Sequence, residues 1–174
     1  SSGTNVSLHK KFTLRNINDG LCSRVAIFLM ERANFKMVRK NAVEWHIDRT
    51  QVGIMGFSAG GHLASTIATH STGEASPNFQ ILFYPVITMD PSFTHKGSHD
   101  NLLGTNHSKK EMRRLEADYS NDLRVNRTTP RAFIALSDDD KAVPAANGFS
   151  YYEYLYKHDV PASIHIYPTG GHGW

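Results

Sequence analysis

The sequence predicts an α/β fold, a mostly parallel sheet flanked by helices in one domain. Three observations carry that expectation. Four short apolar runs, "QVGIMGF", "FQILFYPVI", "RAFIALS" and "ASIHIYP", have the length and the β-branched or aromatic content of buried strands. Stretches of helical spacing separate them, which gives the alternation of strand and helix that parallel sheets require. The chain of 174 residues can bury one core and not two, and 40% hydrophobic with 20% charged side chains is ordinary globular composition.

Taken in order, residues 1–20 are polar, with one alternating piece around Phe12, Leu14 and Ile17 that reads as a short strand. From Leu21 to about His46 the residues Val25, Phe28, Leu29, Ala33, Met37, Val38 and Ala42 recur at helical spacing, with a break near Asn34. The first strand spans 51–57. A helix follows over 59–70, where Leu63 and Ile67 stand four apart. The second strand spans 79–87. Thr88 to Thr129 is irregular except for a short helix over 108–116, opened by Ser108 and Glu111 as a capping box. A strand at 131–137, an amphipathic helix at 147–159 and a strand at 162–168 complete the order.

Several function classes drop out. Nineteen basic against 16 acidic side chains give a net charge of only +3, and the knot of Lys109, Lys110, Arg113 and Arg114 reads as a solvated helix face. No basic motif focuses this charge on nucleic acid. The longest apolar run, Val25–Met30, is far below the roughly 20 residues that span a bilayer. Cys22 stands alone, so no intramolecular disulfide or thiolate metal cluster forms. His95, His99 and His107 lack metal-ligand spacing and read as surface histidines. The N-terminal "SSGTNVS" has no charged-then-apolar leader pattern, and the compartment stays open.

The chemistry centres on Gly56-Phe57-Ser58-Ala59-Gly60, set between an apolar strand and a helix. A serine hydroxyl needs a base and a group to orient that base. A sharp strand-to-helix turn exposes the serine, glycines let the two elements pass closely, and the helix N-terminus offers the Ala59 amide to an oxyanion. After the third strand come Asp138, Asp139 and Asp140; after the fourth comes His172. All three groups fall beyond the C-terminal ends of strands, where open parallel sheets bind ligands. Their order of serine, acid and histidine suits nucleophilic catalysis, with the choice among the aspartates open. His62, one turn after Ser58, is expected near the site in a packing or substrate role. Tyr151, Tyr152, Tyr154 and Tyr156 read as core and boundary aromatics.

These segments, "VRKNAVEWHIDRTQVGIMGFSAGGHLASTIATH", "ILFYPVITMDPSFTHKGSHDNLLG" and "DDDKAVPAANGFSYYEYLYKHDVPASIHIYPTGGHGW", resemble the esterase/lipase branch of the α/β-hydrolases. Within it they look closest to bacterial acetyl-xylan-esterase-like carbohydrate esterases. The resemblance implies an α/β-hydrolase core over 37–174, with 1–36 a divergent segment of the same domain or a poorly ordered one. It implies Ser58 as nucleophile, His172 as base and, because it precedes "KAVP", Asp140 as the acid. It also implies hydrolysis of small acetyl esters of plant-polysaccharide carbohydrates, with no metal or cofactor. His62 and Trp174 are the candidate substrate contacts.

The pattern departs from the family at both ends. Residues 1–52 hold only Gly3 and Gly20, with no H-G-G-type loop to add oxyanion donors to Ala59. Relatives usually continue beyond the histidine into a closing helix. A fold shortened in its N-terminal half and after His172 is therefore expected, with "VGIM" as an exposed edge that invites self-association. Two alternatives stand beside the esterase: an impaired hydrolase acting as a binding or assembly module, and a prolyl-oligopeptidase-type serine peptidase.

Overall fold

The structure, a computed structural model, describes residues 32–174. The strand expected around Phe12 to Ile17 and the first part of the expected 21–46 helix lie outside the described residues.

Helix α1 is described over residues 32–40 and passes Asn34 without a break. It turns inward Phe35 and Arg39, four positions apart. The Arg39 guanidinium donates from Nε to the Arg49 carbonyl, from Nη2 to Asn78 Oδ1, and also to the Glu74 carbonyl. Beyond residue 40 the chain tightens into turns rather than continuing to 46 as helix. A Schellman motif ends it: His46 has φ 52°, His46 N–H bonds Val43, and Ile47 N–H bonds Ala42.

Strands β1 (Ile54–Phe57), β2 (Phe79–Phe83), β3 (Arg131–Ser137) and β4 (Ala162–Tyr167) form one parallel sheet in the order β1-β2-β3-β4. Register aligns Gly56 with Leu82, Leu82 with Ile134, and Ile134 with Ile164. On that face Leu82, Ile134 and Leu136 pack with Ala64 of α2 (Ala59–His70) and with Tyr151 and Leu155 of α5 (Ala146–Lys157). Each fully buried Leu or Ile there contributes roughly 1.5–3 kcal/mol. On the opposite face Met55, Ile81 and Phe133 stand in register, with Met55 54% and Phe133 36% exposed. Among the described residues β1 pairs only with β2, so it is an edge strand.

Expected boundaries shift for local reasons. The second strand stops at Phe83 instead of Ile87, because Tyr84 turns to φ 36° and Pro85 has no N–H for the ladder. Helix α4 (Lys109–Tyr119) runs three residues past its expected end, and Ser108 Oγ accepts the Glu111 amide as its N-cap. Its Lys109, Lys110, Arg113 and Arg114 are exposed. Helix α3 (Lys96–Leu103) was not expected: Leu103 is its only buried residue, so no apolar stripe announces it. The His95 ring caps it instead, accepting the Ser98 amide. His99, expected at the surface, is largely covered and sits between Asp100 and Glu116.

Candidate active site

Ser58 occupies the turn from β1 to α2 at φ 52° and ψ −124°. For a residue with a Cβ this costs about 1–3 kcal/mol and persists only where neighbours enforce it. They do: Ser58 N–H donates to the Phe83 carbonyl at 3.1 Å, and its own carbonyl accepts from Gly61 at 2.9 Å and Val86 at 3.0 Å. A Cβ on Gly56 would collide with the Gly60 carbonyl, and one on Gly61 would lie 2.5 Å from Pro85 Cβ. Gly60 is different. Among the described residues nothing lies within 4 Å of the Cβ it lacks, so the second glycine needed for close passage is Gly61. Ala59 opens α2, where the first amides have no partner inside the helix.

The structure brings Ser58, His172 and Asp140 together. His172 Nε2 lies 2.8 Å from Ser58 Oγ, and His172 Nδ1 lies 2.7 Å from Asp140 Oδ2. An ionised carboxylate only accepts, so Nδ1 carries the hydrogen toward Asp140 and Nε2 is left to accept from the serine. The Asp140 side chain is 1% exposed and that of His172 27%. Burial is the largest single influence on Asp140 and pushes its carboxyl upward. The bond from His172, the amides of Val143 and Ala142, and the charge of His172 together outweigh it and hold the carboxyl below its ordinary value. Both amides donate to Oδ1, at 3.0 and 2.8 Å, which leaves Oδ2 for the imidazole. Such a relay can move the hydroxyl proton to the imidazole and stabilise the cation that results.

The three aspartates divide their work. Asp138 N–H donates to the Tyr167 carbonyl, tying the end of β3 to that of β4. Asp139 Oδ1 accepts the Gly171 amide at 2.8 Å, beside the histidine. In the sequence only its place in "DDD" signals Asp139.

Trp174 stands 46% exposed in an aromatic wall. Its Nε1 donates to Ser137 Oγ at 2.7 Å, and its ring meets Tyr84, Phe83 and Tyr167 at 5.8, 6.0 and 5.5 Å. Of the packing and substrate roles expected for His62, its surroundings fit packing. It is 7% exposed, and its Nε2 donates to the Tyr119 carbonyl at 2.8 Å, pinning α2 to the end of α4. Burial pushes its pKa down to about 4, against the opposing Tyr119 bond, so the ring packs as a neutral group.

A family model described as alpha/beta hydrolase fold matches residues 31–174. The acetylxylan esterase of Xylanibacter ruminicola is 46% identical over 142 residues, covering 80% of this chain and 29% of that protein. Endo-1,4-beta-xylanase B of Butyrivibrio fibrisolvens is 32% identical over 149 residues, covering 79% of this chain and 23% of that protein. The chain thus spans less than a third of the curated relatives it matches. The crystal structure of an acetyl ester-xyloside bifunctional hydrolase from Caldicellulosiruptor lactoaceticus superposes with a TM-score of 0.75 at 34% identity. That match covers 84% of this chain and 56% of the other.

Proposed function

The chain belongs to the alpha/beta hydrolase fold family, and from that premise we propose that it is a serine esterase removing acetyl groups from plant-polysaccharide carbohydrates such as xylan. The single observation that carries this reading is the hydrogen-bonded run Ser58–His172–Asp140 at the C-terminal ends of β1, β3 and β4. The similarity to an acetylxylan esterase supports the substrate class.

In the proposed reaction His172 Nε2 takes the Ser58 hydroxyl proton as Oγ attacks the acetyl carbonyl carbon. The carbonyl oxygen becomes an oxyanion, toward which the Ala59 amide donates. Asp140 holds the imidazolium by its Nδ1–H. As the tetrahedral intermediate collapses, its bond to the sugar oxygen breaks and His172 returns the proton to that oxygen. Water then attacks the acetyl-Ser58 ester, with His172 as base again, releasing acetate. One oxyanion donor is worth about 10²–10³ in turnover, so the rate depends on the amides that join Ala59.

Hydrolysis of p-nitrophenyl acetate by wild type and Ser58→Ala tests the reading. A Ser58-dependent rate supports it, and equal background rates overturn it. Acetylated xylo-oligosaccharide compared with an aminoacyl peptide separates esterase from peptidase. A second reading, a hydrolase core used as a binding or assembly module, is favoured by Met55 and Phe57 of β1, 54% and 46% exposed.

A further inference from the structure

The imidazole of the proposed base is fixed by fewer restraints than its two hydrogen bonds suggest. Bonds at Nδ1 and Nε2 define one axis through the ring and leave it free to tilt about that axis. The Asp139 bond to the Gly171 amide anchors the loop, but the flanking residues, Gly171 at φ 62° and Gly173 at φ 89°, put no side chain against the ring. A third contact is needed to hold the plane.

Tyr84 supplies it. Its ring centroid lies 4.8 Å from that of His172, at an interplanar angle of 63°, an edge-to-face arrangement. Tyr84 also meets Phe57, the residue before Ser58, at 6.1 Å, and Trp174 at 5.8 Å. It therefore touches the chain on both sides of the Ser58–His172 bond. Its own position is enforced: it is 8% exposed, its backbone is held at φ 36°, and its N–H donates to the Ala135 carbonyl at 2.7 Å. A non-glycine residue kept in that conformation by its surroundings, beside a reactive group, marks a place where geometry is over-determined.

We propose that Tyr84 is a positioning residue, whose aromatic ring fixes the tilt of the His172 imidazole between Ser58 and Asp140. This rests on the serine-esterase reading above. The ring does the work rather than the hydroxyl, so a ring without the hydroxyl should suffice.

The test compares wild type, Tyr84→Phe and Tyr84→Leu on p-nitrophenyl acetate. It also follows the far-downfield proton NMR resonance of His172 Nδ1–H. Tyr84→Leu is expected to lower kcat about 10- to 100-fold, the scale of a small misplacement of reacting groups, with KM changed less than about threefold. Its Nδ1–H resonance should broaden or vanish while the circular dichroism stays that of wild type. Tyr84→Phe should keep both rate and resonance near wild type. A Tyr84→Leu protein with wild-type kcat and an unchanged resonance overturns the inference, as does a Tyr84→Phe protein as impaired as the leucine variant. Should wild type show no Ser58-dependent hydrolysis, the esterase reading fails on its own, and the resonance still decides the role of Tyr84. If Tyr84→Leu does not fold, nuclear Overhauser contacts between the Tyr84 and His172 rings of wild type decide; their absence overturns the proposal.

Discussion

The Asp139 carboxylate accepts the Gly171 amide at 2.8 Å, and the next residue along each of the two loops, Asp140 and His172, forms the 2.7 Å pair. Two adjacent bonds thus clamp the loop after β4 to the loop after β3. Asp139→Ala should lower kcat about tenfold, short of the roughly 10²-fold that a 1 Å misplacement causes. The accompanying loss of stability should be about 1 kcal/mol. Asp139→Asn keeps an acceptor oxygen and should retain most activity. Turnover and urea midpoints of the two variants check this, and equal losses in both would contradict it.

The glycines of the serine turn should behave unequally. Gly56→Ala drives a Cβ into the Gly60 carbonyl and should destabilise by about 1–3 kcal/mol, the range for overpacking. Gly60→Ala meets nothing within 4 Å among the described residues and sits inside α2. It should be neutral or stabilising by up to about 1 kcal/mol through helix propensity. Thermal unfolding of both proteins measures the contrast, and a Gly60→Ala loss matching that of Gly56→Ala would refute it.

Much of the fold and of the candidate site is legible in the sequence, because strand-length apolar runs and the loops after them carry its residues. The runs ending at Phe57, Ser137 and Tyr167 deliver Ser58, Asp140 and His172 to one edge of a parallel sheet. What stayed hidden lacks a periodic signal. Helix α3 is held by the His95 cap rather than by an apolar stripe. His62 lies one turn from Ser58, yet only the long-range partner Tyr119 reveals its buried role. Tyr84 reads as a strand residue, and its N–H still reaches the Ala135 carbonyl of β3, but its positive φ and the proline after it end the strand there.

His62 gives stability a pH dependence of known sign. Its ordinary pKa of 6.5 is pushed down to about 4 in the folded protein, chiefly by burial. Between those values the unfolded chain binds a proton that the folded chain does not, so stability falls as pH drops from 6.5 to about 4. The contribution is on the order of 3 kcal/mol across the window. His62→Gln retains an N–H donor for the Tyr119 carbonyl but does not titrate. Urea midpoints against pH should therefore be flatter for the variant, and identical slopes would contradict the assignment.

The edge strand makes its own prediction. Met55 and Phe57 on β1 are exposed, and β1 has one neighbour among the described residues. Unpaired edges recruit further strands unless a charge blocks them. Size-exclusion chromatography with light scattering should show concentration-dependent association of wild type, reduced by Met55→Lys. A wild-type protein monomeric at every concentration would contradict this.

In the proposed mechanism His172 activates Ser58 as a nucleophile across a 2.8 Å contact. A fluorophosphonate probe reports on it directly, since it forms a stable bond only with an activated serine. Peptide mapping after exposure should find the label on Ser58 in wild type and almost none in His172→Ala. Absence of label from Ser58 in folded wild type, or equal labelling in His172→Ala, would contradict that role of His172.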